Sequence, residues 1–307
     1  MSSADQPRIA LAPDPELRWL ADAIVAGGGQ LVGLRECHGI IWSDARAPEA
    51  LTDALDVAAD ASWIQLPFAG IENFVHLVDP VRTWTCGKGV YAEPVAEMAL
   101  ALGVAGLRGL GRYTRADTWT GPVVRNLLGA NVTIFGGGGI TGSLVRLLGP
   151  WACTITVVRR NVSEMPGVAH VLGADAVDEA LPGADLVVLA LPLTPDTEHM
   201  MGASQLDLME SHAWLVNVAR GRHVVTDDLV SALRTGGIGG AGLDVTDPEP
   251  LPDGHPLWSM ENCIITPHVG NTPEMAVPLL ATRVTENVRR FGAGDPLIGL
   301  VDHHVGY

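Results

Sequence analysis

The segment Val132-Thr-Ile-Phe-Gly136-Gly137-Gly138-Gly139-Ile140-Thr141-Gly142 restricts the possible folds more than any other part of this chain. A β-branched run passes into four glycines and then into helix-forming residues, so a strand must turn sharply into a helix. Glycines permit the bend and let backbone approach a ligand closely, and the start of the helix then directs free N–H groups and a positive dipole at it. This is the context of a dinucleotide-binding turn in a parallel α/β sheet. The register stays open at this level. Gly137, Gly139 and Gly142 fit G-x-G-x-x-G literally, whereas Gly136 and Gly138 put Thr141 in the third place, where helix packs on strand.

The rest of the chain agrees with that context, because short β-branched runs alternate with longer amphipathic stretches. Strands are expected at 8–11, 61–66, 131–135, 154–158, 186–190, 214–218, 241–244 and 263–266, and helices at 16–26, 52–59, 94–110, 140–148, 226–235 and 272–291. A length of 307 residues suits two domains at about 150 residues each. The expected fold class is α/β, with two Rossmann-like or flavodoxin-like domains, parallel sheets and an interdomain cleft. Residues 94–271 form the dinucleotide-binding domain, and residues 1–93 plus 272–307 form the substrate-binding (catalytic) domain.

The end of the second strand bears on which dinucleotide is bound. Binders of NAD place an Asp or Glu about 20 residues after the glycines, where it accepts hydrogen bonds from the ribose hydroxyls. Here Arg159 stands 21 residues after Gly138, Arg160 follows it, and no carboxylate comes before Glu164. Arginines hold a 2′-phosphate with forked hydrogen bonds. NADP(H) is therefore favoured, with NAD(H) still possible.

Composition narrows the partners. Asp and Glu outnumber Lys and Arg 35 to 19, a net charge of −16, and Lys88 is the only lysine. That field disfavours nucleic acid and anionic membrane surfaces as partners. An anionic substrate then needs arginines that create a local positive pocket. Cys37, Cys86, Cys153 and Cys263 are scattered with no C-x-x-C pair, which argues against a metal site or a disulfide framework. Residues 1–18 lack a signal-peptide pattern and the apolar run at 98–107 is too short to span a membrane, so a soluble cytoplasmic protein is expected.

Several ordered motifs resemble the D-isomer-specific 2-hydroxyacid dehydrogenases. They are Gln65-Leu-Pro-Phe-Ala-Gly70, the glycine turn, Leu191-Pro-Leu-Thr-Pro within 185–197, Leu215-Val-Asn217-Val-Ala-Arg220-Gly221, Ala241-Gly-Leu-Asp244-Val, Pro248-Glu249-Pro250-Leu251-Pro252, Ile265-Thr-Pro-His268 and the closing Gly306-Tyr307. The resemblance spans nearly the whole chain and is strongest over 131–270. It implies a catalytic set of Arg220, Glu249 and His268. The chemistry agrees: an arginine can hold a carboxylate and polarise a ketone, a histidine can donate the proton, and a glutamate can orient the histidine ring. Each alone also has a plain structural role, as a strand-end cap, a loop carboxylate or one of ten histidines. Their order, each after a strand of one domain, favours the site.

The resemblance also implies cofactor contacts from Gly136, Gly138, Gly139, Ile140, Thr141, Arg159, Arg160, Leu191, Pro192, Thr197, Val218, Ala219, Asp244 and Gly270, with Asp244 near the nicotinamide carboxamide. Substrate contacts are implied for Arg220 and for the backbone N–H groups of Phe68, Ala69 and Gly70. The implied reaction is direct hydride transfer between NADP(H) and a small 2-keto or 2-hydroxy acid, glyoxylate or hydroxypyruvate being favoured, in a homodimer. In sequence, the apolar helix at 94–110 is the segment suited to pairing. Phosphite-, formate- and phosphoglycerate-type dehydrogenases share the fold, but Glu249 favours a hydroxy acid over formate, and 307 residues leave no regulatory extension. A non-catalytic NAD(P)(H)-sensing protein is the alternative of another class.

Overall fold

The computed structural model describes residues 6–302, so the motif residues Gly306 and Tyr307 lie outside the described part. The chain divides into two units, Met1–Tyr91 with Thr272–Tyr307 and Ala92–Asn271. The first unit opens with β1 (Arg8–Ala12), α1 (Arg18–Ala26), β2 (Gln30–Leu31), β3 (Gly39–Trp42), α2 (Pro48–Val57), β4 (Trp63–Gln65) and β5 (Thr83–Thr85). The second runs through α3 (Ala92–Leu107), α4 (Leu110–Tyr113), β6 (Asn131–Phe135), α5 (Gly139–Leu148), β7 (Thr154–Val158), β8 (His170–Leu172), α6 (Val177–Ala180), β9 (Leu186–Leu189), α7 (Ala203–Leu208), β10 (Trp214–Asn217), α8 (Thr226–Thr235), β11 (Gly240–Leu243) and β12 (Cys263–Ile265). The chain returns to the first unit with α9 (Pro273–Ala293).

The first unit is a five-stranded parallel sheet in the order β2-β1-β3-β4-β5. Its three central strands, β1, β3 and β4, are short and mostly apolar, as a sheet covered on both faces requires. On one face α1 packs on α9, with Leu20, Ile24, Leu280, Val284 and Val288 buried together. The glycines after α1 do more than stop it: a Cβ on Gly27 would lie 2.5 Å from the Thr285 carbonyl oxygen, so only glycine allows the two helices to approach. Asn287 of α9, fully buried, donates to Gln65 Oε1 and Ile298 O at 2.9 Å, tying the last helix to β4 and to the strand-like tail.

The second unit is a seven-stranded parallel sheet in the order β12-β11-β10-β9-β6-β7-β8. The chain moves outward from β6 through β7 to β8, then returns to β9 on the other side of β6. The strand order therefore reverses between β6 and β9, and the carboxyl ends of these two strands border the crevice where such sheets bind ligands. Buried side chains form a core on each face of the sheet, α3 and α5 covering one and α7 and α8 the other. Small residues seat α3: a Cβ on Gly106 would come within 2.2 Å of the Trp214 ring.

The α2 helix begins at Pro48, four residues before the expected start, because proline at the first turn needs no N–H partner. The α3 helix ends at Leu107 rather than 110, at a left-handed Gly109. Strands β2, β3, β5 and β8 were not expected from the sequence. They are two to four residues long, too short for a period of two to be visible. No helix among the described residues is long and apolar enough to cross a membrane.

Candidate active site

The structure decides the glycine register. Gly136 has φ +113°, and a Cβ there would lie 2.1 Å from the Ala190 carbonyl oxygen, so this position admits only glycine. Gly138 caps the start of α5, and a Cβ on it would meet nothing within 4 Å. Gly136 and Gly138 are therefore the first two motif glycines, and Thr141 holds the third place. Thr141 is fully buried and its Oγ1 donates to Gly136 O at 2.9 Å, so the hydroxyl fastens the turn that it closes. The open face over Gly138, with the exposed Gly139 at the start of a ten-residue helix, fits a pyrophosphate.

Two walls flank this turn. On one side Arg159, at the end of β7, lies across Gly137: a Cβ on that glycine would sit 2.7 Å from Arg159 Cδ and 3.0 Å from its Nε. Arg159 Nη2 is 3.3 Å from Ser163 Oγ, and Arg160 and Asn161 are exposed beside it. Ser163 had no signal in the sequence, since a serine five residues beyond a strand is an ordinary loop residue.

On the other side the loop after β9 touches Gly136 through Ala190 and Leu191. Thr197 Oγ1 donates to Pro192 O at 2.9 Å and accepts from Thr194 N at 2.8 Å, closing the loop on itself. The fully buried His223 fills its interior, with Nδ1 2.9 Å from Thr197 O and Nε2 3.2 Å from Leu191 O. Sequence reasoning passed over this histidine because a loop 26 residues distant supplies its partners.

The catalytic candidates lie at the carboxyl ends of β10, β11 and β12. Arg220 follows β10 with extended backbone. Its carbonyl accepts from Asn217 Nδ2 at 2.8 Å, Asn217 Oδ1 accepts from Ala219 N at 3.0 Å, and Arg220 Nη1 donates to Ala219 O at 2.7 Å. Val218 and Ala219, implied as cofactor contacts, are buried within this turn. A Cβ on Gly221 would lie 1.9 Å from Thr246 O, so glycine lets the Arg220 turn rest on the segment that leads to Glu249.

His268 is brought directly to Glu249: Nδ1 stands 2.6 Å from Oε1, both side chains being about half exposed. A ring hydrogen-bonded at Nδ1 presents Nε2 outward for proton transfer. His268 has φ +54°, a conformation that must be held by its surroundings. Asp244 holds it. Its buried carboxylate accepts from Thr266 Oγ1 (2.5 Å), Val269 N (3.0 Å) and Gly270 N (2.8 Å), and its carbonyl accepts from His268 N (2.8 Å). Of the two residues implied here as cofactor contacts, Asp244 braces the histidine turn and Gly270 donates to it. Thr266, also missed, completes the brace.

In the other unit, the Pro67–Gly70 turn follows β4. Phe68 and Ala69 are exposed, and the Phe68 ring packs against Tyr91 with centroids 5.9 Å apart. Tyr91 Oη donates to Pro67 O at 2.6 Å, and burial holds its hydroxyl protonated by raising its pKa. The N–H groups of Phe68, Ala69 and Gly70 have no intramolecular acceptor among the described residues.

Residues 98–270 match the model for the NAD binding domain of the D-isomer specific 2-hydroxyacid dehydrogenases, more than half of the chain. The chain belongs to that family. Members of the D-isomer specific 2-hydroxyacid dehydrogenase family are NAD(P)-dependent oxidoreductases acting on 2-hydroxy acids. This member is 35% identical over 303 residues to an uncharacterized protein in the proB 3′ region of Corynebacterium melassecola, covering 95% of this chain and 98% of that one. It is 34% identical over 230 residues to the glyoxylate reductase of Thermococcus onnurineus, covering 70% and 68% of the two chains. Its match to the glyoxylate/hydroxypyruvate reductase A of Klebsiella pneumoniae strain 342, at 34% identity, spans 57% of this chain and 56% of that relative. Among solved structures, the NADPH-dependent glyoxylate/hydroxypyruvate reductase of Sinorhizobium meliloti, in complex with NADP and sulfate, superposes with a TM-score of 0.81. The identity is 25%, over 98% of this chain and 100% of that one. A family member from Xanthobacter autotrophicus Py2, in complex with NADPH and MES, gives 0.85 at 25% identity, over 98% and 100% of the two chains.

Proposed function

We propose that this dehydrogenase is an NADP(H)-dependent 2-keto acid reductase in which Arg220, Glu249 and His268 are catalytic, with glyoxylate or hydroxypyruvate as the substrate. The observation that carries this reading is the 2.6 Å contact of His268 and Glu249, presented at the surface next to the strand end that bears Arg220. When bound, the nicotinamide cofactor supplies the hydride. Arg220 binds the substrate carboxylate with its guanidinium fork and draws electron density from the ketone. His268 Nε2 gives its proton to the carbonyl oxygen as the alcohol forms, and Glu249, bonded to Nδ1, orients the ring. In the opposite direction neutral His268 takes the proton from the hydroxyl.

The preference for NADP(H) is supported by Arg159, whose guanidinium lies across the glycine turn and reaches Ser163, with Arg160 alongside. Gly136, Gly138, Gly139, Ile140 and Thr141 would hold the pyrophosphate end, and the Leu191-Pro192 to Thr197 loop would form the opposite wall. In the substrate domain, formed by residues 1–93 and 272–307, the Phe68–Gly70 turn offers its unpaired N–H groups to the substrate carboxylate. Initial rates of NADPH and NADH oxidation with glyoxylate test the whole reading. Turnover with NADPH preferred is expected. Preference for NADH would remove the arginine argument but keep the enzyme, and binding of cofactor without turnover would favour a sensor.

A homodimer is also proposed, but through a surface other than the one expected from sequence. The α3 helix is anchored in its own unit through Ala96, Ala99, Leu102 and Leu107. The exposed large apolar side chains lie after it, at Leu110, Trp119, Val123, Val124 and Leu128. A cluster of this kind along 19 residues supports pairing through the 110–128 segment.

A further inference from the structure

The substrate-binding unit contains a half-buried arginine with no carboxylate among the described residues to neutralise it. Arg283 projects from α9, and its Nη1 donates to Lys88 O at 3.1 Å and Cys86 O at 3.4 Å. Among the described residues its remaining N–H groups have no acceptor, and no Asp or Glu lies within ion-pair distance of it. Two other arginines of the same helix, Arg289 and Arg290, both pair with Glu286. Burial opposes the charge on Arg283, and such a charge is retained at a cost unless an anion comes to meet it.

The backbone shows where this charge acts. The Cys86 carbonyl faces Arg283, and across the same trans peptide the Gly87 N–H points the other way and donates to Phe68 O at 2.9 Å. The Phe68 carbonyl in turn shares its peptide with the N–H of Ala69, one of the three N–H groups without an acceptor. The guanidinium thus stands at the head of a relay of two peptide units that ends on the Ala69 N–H. Hydrogen bonds in such a chain polarise one another, so a cation at the head strengthens the last donor. The relay is held rigidly. A Cβ on Gly87 would lie 2.7 Å from Pro67 O, Cys86 N donates to Gly299 O at 2.8 Å, and Tyr91 fixes Pro67.

We propose that Arg283 is a positioning residue for the anionic substrate, its charge acting through the Cys86–Gly87 and Phe68–Ala69 peptides to strengthen the Ala69 N–H as a carboxylate donor. The inference rests on the reading of the Phe68–Gly70 turn as a substrate contact, and it assigns to α9 a part in 2-keto acid affinity.

Two substitutions separate charge from structure: Arg283→Gln keeps an N–H donor for the carbonyls and removes the charge, while Arg283→Lys keeps the charge. In the full-length enzyme, Arg283→Gln is expected to raise the glyoxylate KM about tenfold or more. The NADPH dissociation constant and kcat should stay within about twofold, and Arg283→Lys should stay within about threefold of wild type in KM. Equal behaviour of the two variants, an unchanged KM in Arg283→Gln, or a parallel loss of NADPH affinity overturns the proposal. If Arg283→Gln does not fold, Arg283→Lys alone decides, since a tenfold rise in its glyoxylate KM contradicts a role for charge. Wild-type enzyme that does not turn over glyoxylate fails the functional reading itself. Wild-type turnover with an insensitive Arg283→Gln fails only this inference.

Discussion

At the scale of single residues, the site depends on donors and acceptors that are already matched before any ligand arrives. Glu249 fixes one nitrogen of His268, and the Asp244 carboxylate gathers three donors of the 266–270 turn, so the outward nitrogen is held in one direction. Replacing His268 by Asn would remove the proposed proton donor while leaving the proposed cofactor wall intact. The expected result is a kcat lower by roughly 10²- to 10⁴-fold, with the NADPH dissociation constant unchanged in a fluorescence titration. A variant that keeps near-normal kcat would falsify the assignment. Arg159→Ala should raise the NADPH KM roughly ten- to hundredfold, since hydrogen bonds to charged groups contribute about 1.5–3 kcal/mol each, and should leave the NADH KM almost unmoved. Equal losses for the two cofactors would mean that Arg159 only braces the glycine turn.

At the scale of elements, glycines and a helix end determine how the pieces seat. Gly221 lets the Arg220 turn lie on Thr246, and Gly221→Ala would force a Cβ to within 1.9 Å of a carbonyl oxygen. Backbone must move to relieve that contact. A fall in kcat/KM is expected together with a lower melting temperature, and an unchanged kcat/KM would show that the two segments can part without disturbing Arg220. In α9, Glu286 is held at a pKa of about 2 by hydrogen bonds from Arg289 and then Arg290, against an ordinary value of 4.5. A depressed carboxyl stabilises the fold fully above the unfolded pKa and loses that contribution as the pH falls through the folded one. The melting temperatures of wild type and Glu286→Gln should therefore differ at pH 6 and converge as the pH approaches 2. The difference should be small, because the pair is exposed and screened by water.

At the scale of the whole molecule, burial sets reactivity and the sequence pattern sets architecture. Burial raises the pKa of the thiols of Cys37, Cys86, Cys153 and Cys263, the last to about 12. Thiol titration at pH 8 should therefore be slow in the native enzyme and reach all four only in denaturant; rapid native reaction at Cys263 would contradict its burial. The architecture was legible because its signals are local in sequence. The strand–glycine–helix turn, the alternation of apolar runs and the separate motifs that end in Arg220, Glu249 and His268 each occupy a few consecutive residues, and each is positioned by the strand that precedes it. What the sequence could not determine depended on contacts between distant segments. The carbonyl of Ala190 selects Gly136 as the first glycine, and Thr197 and Leu191 give His223 its place. Asp244 becomes a brace because Thr266, Val269 and Gly270 arrive 22 to 26 residues later. Arg283 meets Cys86 and Lys88 across nearly two hundred residues. Local patterning determines which elements form and in what order; steric approach and hydrogen-bond matching, which exist only after the elements pack, decide which side chains act together.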